Sequence, residues 1–358
     1  YLKVLTFLVF TALELPFSPL ASKRLSKSAF YAGSIMGSVE KIIIDTDCGV
    51  DDAMAMILAL SSKRAQVIAI TCVFGNTPLD NVCNNVKRVL VVCDKKEIPI
   101  YRGSSCALVP KIIRKDTAYH GGDGLGTVAH EFSTGDLPES EVPAPMALIQ
   151  LTKEQPGQIT LIAIGPLTNL ALAHRMDPQF TKRLKSLVVM GGNYKGLGNV
   201  TETAEFNFHS DPESADIVLG EALCPVKLVP WETCLEFNLS FDTFDRLIQV
   251  PTVKGSFYKR ITGVMKELAK FRGRNFCTDC DLTAVAATLY PECVRNSITT
   301  PLVVECGGTN TRAICVLLNH VKSLKDHGRC DVQIITELDV DFVNRLRYQM
   351  LQDEPISL

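Results

Sequence analysis

Short, almost wholly apolar segments alternate with helical segments from Lys41 onward, and this alternation is what most limits the fold of the chain. The apolar segments have the length of buried strands. Residues 53–60 and 81–93 instead carry apolar side chains at helical spacing. Strands that are apolar on both faces and separated by helices predict a parallel sheet covered by helices on both sides. The predicted strands are Lys41–Ile44, Val67–Val73, Ile98–Tyr101, Ile159–Ile164, Leu187–Met190 and Val226–Val229.

Polar residues and glycines follow these strands directly. Asp45 ends the first strand, Gly75 and Asn76 follow the second, and Gly191 follows the strand that ends at Met190. In open α/β sheets, ligands bind in the crevice outside the carboxyl ends of the strands. We therefore predict an open, mostly parallel, Rossmann-like sheet with helices on both faces and with the active site at that edge.

Composition fits one large soluble domain. The chain has 358 residues, of which 46% are hydrophobic and 21% are charged, which is an ordinary globular profile. Lysine and arginine total 37 against 39 acidic residues, so the net charge is −2. A protein that binds nucleic acid electrostatically needs a basic surplus, so we expect no nucleic-acid partner. We predict one domain over residues 36–358.

Residues 1–35 are predicted to lie outside this domain. Residues 4–20 are apolar but contain Glu14 and two prolines, which makes a poor transmembrane helix, so we expect no membrane partner. They resemble the apolar part of a signal peptide, and the basic residues 23–28 suit a transit peptide. The alternative is translation from Met36. Thirteen cysteines fit a reducing compartment, so we favour the Met36 start and a cytoplasmic location over secretion.

A cluster of acids occupies the turn after the first strand. Residues 45–52 read DTDCGVDD, with four carboxylates in eight residues. Carboxylates this close raise one another's pKa unless a cation neutralises them. An all-oxygen cluster suits Ca²⁺ or Mg²⁺ rather than zinc, and its spacing is not that of an EF-hand. Helix capping explains one or two of these acids but hardly four. We therefore predict a metal site.

Other catalytic motifs are absent from the sequence. There is no phosphate-binding GxxxxGK[ST] loop, no GxSxG nucleophile motif and no HExxH zinc motif. Cys277 and Cys280 have a CxxC spacing, but a four-ligand zinc site needs a second pair that the chain lacks. A phosphoryl-transfer loop of the DxD type would leave Asp51 and Asp52 unexplained.

The acidic loop resembles the DxDxGxDD motif of the inosine–uridine-type nucleoside hydrolases. Further motifs of that family follow in the same chain order, which makes the likeness specific. It extends from about Lys41 to the C-terminus. The motifs are Val73–Asn76 (VFGN), His120-Gly121, Ile164–Asn169 (IGPLTN), Val189–Gly192 (VMGG), Gly198-Asn199, Ala204–Asn207 (AEFN) and a late Asp281 before a helix.

The resemblance implies an enzyme that cleaves the N-glycosidic bond of ribonucleosides to free base and ribose, with bound Ca²⁺. Asp47, Asp52, Asp281 and the backbone carbonyl of Ile164 would ligate the ion. Asp51 would be the general base that takes a proton from a metal-bound water. The remaining family positions would hold the ribose hydroxyls or line the pocket under the sugar. These are Asn76, Asn199, Glu205 and Asn207 for the hydroxyls and Met190 for the pocket.

One position departs from the family pattern. Many members have His immediately before the late metal-ligating Asp, where it assists the leaving base, but this chain has Cys280. A thiol is a weaker and differently tuned acid. His120 or Asp279 would have to compensate, or a purine would need less help. We predict Asp51, His120 and Cys280 as the catalytic positions.

Two further segments each allow two interpretations. Residues 254–276 read as helical and basic, which fits either a mobile lid over the base or a solvated helix face. Trp231 and Glu232 follow the last predicted strand, where they either contact the ligand or pack internally.

The leading hypothesis is therefore a Ca²⁺-dependent nucleoside hydrolase. The runner-up is a nucleoside- or riboside-binding protein of the same fold without catalysis, which the Cys280 departure favours and the retained Asp51 disfavours. A third is hydrolysis of a related N-riboside such as nicotinamide riboside. The expected partner is a small-molecule nucleoside, and the resemblance implies a homodimer or homotetramer.

Overall fold

An eight-stranded sheet runs through the structure, a computed structural model that describes residues 39–109, 117–318 and 329–358. The predicted N-terminal segment, residues 1–35, lies outside the described residues. The strands in the described part of the chain are β1 (Glu40–Thr46), β2 (Ala65–Cys72), β3 (Ile100–Arg102), β4 (Ile159–Ala163), β5 (Ser186–Met190), β6 (Val226–Val229), β7 (Leu239–Ser240), β8 (Phe276–Cys277), β9 (Val294–Thr300), β10 (Leu302–Val304), β11 (Cys315–Leu317) and β12 (Val332–Leu338).

The strand order of this sheet is β3-β2-β1-β4-β5-β6-β12-β9. Every neighbouring pair is parallel except β12 and β9, which run antiparallel at one edge. Two small antiparallel pairs, β7 with β8 and β10 with β11, lie outside it. The predicted open, mostly parallel sheet is confirmed.

Helices cover both faces of the sheet. Within the described residues, none has the combination of length and apolarity that a membrane span requires. The α-helices are α1 (Val50–Ser61), α2 (Leu79–Val92), α3 (Thr117–His120), α4 (Ala144–Glu154), α5 (Thr168–Met176), α6 (Phe206–Ser210), α7 (Pro212–Glu221), α8 (Trp231–Glu236), α9 (Phe241–Leu247), α10 (Val253–Ile261), α11 (Met265–Phe271), α12 (Cys280–Leu289) and α13 (Val340–Met350).

The apolar strands divide the core into two layers. Ile42 and Ile44 pack on one face of β1 together with α1, α2 and α12, whereas Ile43 packs on the other with α4, α5 and α7. This division follows from the two-residue period of a strand. Helix α1 is buried along almost its whole length because α12 packs against it. The acidic turn lies directly before this buried helix.

Most element ends differ from the prediction by one to three residues. The third strand begins at Ile100 rather than Ile98, since Pro99 has no N–H to donate to a neighbouring strand. The predicted helix 254–276 is two helices, α10 and α11, separated around Gly263, a residue that weakens helices. Asp281 lies inside the first turn of α12 instead of before it.

Candidate active site

A cavity of about 690 Å³ lies at the carboxyl ends of the sheet strands. Its volume suits a small molecule. All predicted site residues line it except Asp47 and Asp52, which are fully buried. The lining residues that follow successive sheet strands are Asp51 after β1, Asn76 after β2, Ile164 after β4, Met190 at the end of β5 and Trp231 after β6.

Three carboxylates meet at one end of two helices. Asp51 and Asp52 lie in the first turn of α1 and Asp281 in the first turn of α12, and each offers an oxygen within 4.8 Å of the others. The positive end of each helix dipole stabilises negative charge there. Asp45, the first acid of the motif, is engaged elsewhere, since its Oδ1 accepts hydrogen bonds from Thr71 and from Asn169 at 2.8 Å.

The neighbouring side chains orient Asp52 and Asp47. Asp52 accepts hydrogen bonds from Thr46 Oγ1 at 2.5 Å, Gly49 N at 2.9 Å and Asn76 Nδ2 at 2.9 Å. Asp47 Oδ2 accepts one from Asn76 N at 2.8 Å. Any larger residue at Gly49 would clash with His120, because a Cβ atom at this position would lie 2.2 Å from His120 Nδ1.

Three buried carboxyls at this site, Asp47, Asp51 and Asp281, lie in surroundings that disfavour their ionised forms. Burial, and after it the charge of Asp52, raises the pKa of both Asp47 and Asp51 well above the usual range. Burial, and after it the charge of Asp51, does the same to the pKa of Asp281. Asp47 Oδ1 and Asp51 Oδ1 are buried without a hydrogen-bond partner, an arrangement that native proteins rarely leave uncompensated. The donor set fits a hard divalent cation.

His120 lies beside the same cluster. Its Nδ1 accepts a hydrogen bond from Val50 N at 3.1 Å and lies 3.8 Å from Asp51 Oδ1, which is too long for a hydrogen bond. Because Nδ1 accepts, the neutral ring carries its proton on Nε2. The structure thus brings His120 next to Asp51 as well as to the cavity.

Two of the predicted sugar-binding residues, Glu205 and Asn207, bond to the backbone near the ends of β4 and β5. The Glu205 carboxylate caps α6 and accepts hydrogen bonds from Asn207 N at 2.8 Å, Gly192 N at 2.8 Å and Phe208 N at 3.1 Å. Burial raises the pKa of Glu205 to about 7. Asn207 Nδ2 donates to the carbonyls of Ile164 and Met190, both at 3.2 Å. These bonds tie β4, β5 and α6 together at the cavity.

Asn199 lies on an exposed loop whose position depends on a buried acid. Its backbone N–H donates to Ala204 O at 2.9 Å. Glu232, buried in the first turn of α8, accepts hydrogen bonds from the backbone N–H groups of Tyr194, Lys195 and Leu197 at 2.8–3.1 Å. Of the two residues left open by the sequence, Trp231 lines the cavity and Glu232 holds the loop.

Cys280 is a buried thiol at the cavity wall. A hydrogen bond with Cys234, and after it burial, raises the pKa of this thiol well above its usual range. Asp279, which the sequence offered as a substitute acid, does not line the cavity and forms a buried ion pair with Arg347. The thirteen cysteines all lie in the described part of the chain, and none of them forms a disulfide there.

The model of the inosine-uridine preferring nucleoside hydrolases matches residues 42–345. The chain belongs to this family. The family resemblance predicted from the motifs is thereby confirmed, and the chain is a hydrolase that acts on N-glycosyl bonds.

Individual relatives agree with this assignment. The inosine-uridine preferring nucleoside hydrolase of Leishmania major is 31% identical over 84% of this chain and 94% of its own. Uridine nucleosidase 1 of Arabidopsis thaliana is 35% identical over 65% of this chain and 68% of its own. A solved plant nucleoside hydrolase has a TM-score of 0.81 and 29% identity over 88% of this chain and 99% of its own. The chain spans little more than half the length of several other curated plant relatives.

The hydrolase has cavity residues that the sequence analysis did not assign. Tyr119, Arg272 and Arg274 line the cavity, and Arg274 lies over the ring of Trp231. The basic character of residues 254–276 was the one signal for the arginines. In that segment, Lys259, Arg260 and Lys270 face solvent, so the basic residues of α10 and α11 form a solvated helix face. The segment after α11, which carries Arg272 and Arg274, reaches the site.

Proposed function

We propose that the protein is a Ca²⁺-dependent ribonucleoside hydrolase in which Asp51 takes a proton from the attacking water. The observation that carries the proposal is the position of Asp51. This carboxylate lines the cavity and belongs to the Asp51–Asp52–Asp281 cluster, and it has one buried oxygen without a hydrogen-bond partner. A base needs access to substrate and a fixed geometry, and Asp51 has both.

Asp47, Asp52, Asp281 and the Ile164 carbonyl are the residues that would hold the ion. Their oxygens suit Ca²⁺, and burial raises the pKa of Asp47 and of Asp281, so a nearby cation would stabilise their ionised forms. When bound, Ca²⁺ orients ribose hydroxyls and makes a water molecule more acidic. Beside that charge, the Asp51 carboxylate would be ionised and able to accept a proton.

The other side chains act on the sugar. Cleavage of a glycosidic bond passes through an oxocarbenium-like transition state, which nearby carboxylates stabilise. We propose that Asn76, Asn199, Glu205 and Asn207 bind the ribose hydroxyls, with Met190 under the ring. Deoxynucleosides would leave buried polar groups unpaired, so the site should discriminate against them.

The test is ribose release from inosine, adenosine, guanosine, uridine and cytidine, with Ca²⁺ and after chelation. Asp51→Asn should lower kcat by about 10²–10⁴-fold, the usual contribution of a general base. Asp245→Asn is the matched control, because Asp245 is exposed and pairs with Lys266 at the surface. Absence of release from all five nucleosides, together with a nucleoside-dependent rise in the unfolding temperature, would instead support the binding protein.

A further inference from the structure

The residues at the position of the missing His, Cys280 and Asp279, are poor proton donors for the departing base, and His120 lies beside Asp51 at the carboxylate cluster. Cys280 occupies the position at which the family resemblance implies His, and a thiol is a weaker acid than a protonated imidazole. Asp279 accepts two hydrogen bonds from Arg347 and is buried away from the cavity. Cleavage nevertheless transfers an electron pair to a ring nitrogen of the base, and that charge needs stabilisation.

Two guanidinium groups line the cavity together with the acidic residues. Arg272 is exposed, whereas Arg274 is half-buried in the segment between α11 and β8. The guanidinium carbon of Arg274 lies 5.5 Å from the centre of the Trp231 ring and 5.9 Å from that of Phe276. Contacts of this kind with aromatic rings hold a cation in place. Arg274 is therefore the better fixed of the two.

The surroundings of Arg274 place it near the catalytic positions. Arg274 lines the same cavity as Cys280 and Tyr119, and burial, and after it the charge of Arg272, lowers its pKa. An arginine keeps its proton even when such a shift occurs. The side chain is thus a permanent cation, with several N–H donors, in the neighbourhood of the missing His.

We propose that Arg274 stabilises the departing base by hydrogen bonding to its ring acceptors, in place of the absent general acid. This inference rests on the proposed function. A flat base fits beside Trp231, and the planar guanidinium presents its donors as a fork that suits the ring nitrogen and carbonyl acceptors of purines and pyrimidines. In this arrangement, the carboxylates face the sugar, which becomes positive during cleavage, and the Arg274 guanidinium faces the base, which becomes negative.

The step balances without proton transfer from Arg274. The bond between C1′ and the base nitrogen breaks, and its electron pair goes to the base. Water adds its oxygen to C1′ and gives one proton to Asp51. The base, held as an anion by Arg274, takes a proton from solvent, and Asp51 later returns its proton to solvent.

The experiment compares substrates that differ in their need for such help. The base of a nucleoside leaves as a poorly stabilised anion, whereas 4-nitrophenyl β-D-ribofuranoside releases a stable phenolate. Arg274→Gln should lower kcat/KM for inosine and uridine by about 10²–10³-fold, as loss of a charge-stabilising donor does. It should change kcat/KM for the nitrophenyl riboside far less. Arg274→Lys should recover part of the loss, because it restores the charge without the fork.

Lys270→Gln is the matched control, since Lys270 pairs with Glu267 at the surface of α11. Its kinetics should equal those of the wild type on every substrate. Arg274→Ala repeats the comparison, and thermal unfolding of each variant establishes that it is folded. Equal losses on nucleosides and on the nitrophenyl riboside, or no loss on nucleosides, would overturn the role of Arg274. A wild-type chain that cleaves neither substrate with Ca²⁺ would overturn the proposed function itself.

Discussion

Arg347 donates two hydrogen bonds to the carboxylate of Asp279, from Nε at 2.7 Å and from Nη2 at 2.6 Å, and both side chains are buried. Arg347 belongs to α13, whereas Asp279 immediately precedes α12, which carries Cys280 and Asp281. The pair therefore fixes the start of the helix that contributes to the acidic cluster. A bidentate arginine–carboxylate pair restricts orientation as well as distance.

Breaking this pair should destabilise the fold. Arg347→Met leaves the Asp279 carboxylate buried without its partner, which should lower the free energy of unfolding by about 3–5 kcal/mol. Denaturant unfolding measures the change. Arg345→Met is the control, because Arg345 is exposed on the same helix over Phe342 and should cost less than about 0.5 kcal/mol. Equal effects of the two substitutions would contradict a special role for the buried pair.

Calcium should stabilise the folded chain through the acidic cluster. At a free Ca²⁺ concentration of 100 times the dissociation constant, the free energy of unfolding should rise by about 2.7 kcal/mol. Chelation should remove the gain, and Asp281→Asn should reduce it, since the variant lacks one of the clustered carboxylates. Thermal and denaturant unfolding with and without Ca²⁺ test this. Asp245→Asn should keep the full gain, and an undiminished gain in Asp281→Asn would place the ion elsewhere.

Weakening the support of the Asn199 loop should raise KM for nucleosides more than it lowers kcat. Glu232→Gln replaces a carboxylate that accepts three backbone hydrogen bonds with an amide that has one acceptor oxygen. We expect KM for nucleosides to rise about tenfold, equivalent to about 1.4 kcal/mol, with a smaller change in kcat. Steady-state kinetics measure both. Glu236→Gln, at an exposed ion pair with Lys195, should change neither. An unchanged KM in Glu232→Gln would show that the loop does not need this anchor.

Glu205 should make stability depend on pH. Burial raises its pKa from the ordinary 4.5 to about 7, so the folded state retains a proton that the unfolded state releases between these values. The stabilisation is fully present below pH 4.5 and is lost as pH rises to about 7. Relative to Glu205→Gln, the wild type should lose about 3 kcal/mol over this interval. Denaturant unfolding at a series of pH values measures the difference, and a constant difference would contradict the raised pKa.

Local patterns in the sequence determined much of this protein. The apolar strand segments and the helical periodicities predicted the parallel sheet, because each pattern depends on near neighbours along the chain. The polar strand ends located the site at the carboxyl edge, since parallel strands bring those ends together. The acidic motif indicated Asp47, Asp51 and Asp52 as candidate site residues because they lie close together in the sequence.

Contacts between distant segments were decided only by the tertiary structure. Strand β12 joins the sheet by pairing with β6, and β9 joins it by pairing with β12; no local period signals either pairing. The Arg347–Asp279 pair joins residues 68 positions apart, and Arg274 meets Trp231 from a different element. Glu232 supports a loop more than 30 residues earlier. Such contacts depend on how helices and loops pack over the sheet. Packing brings together side chains that are far apart in the sequence, and no local pattern predicts which of them will be in contact.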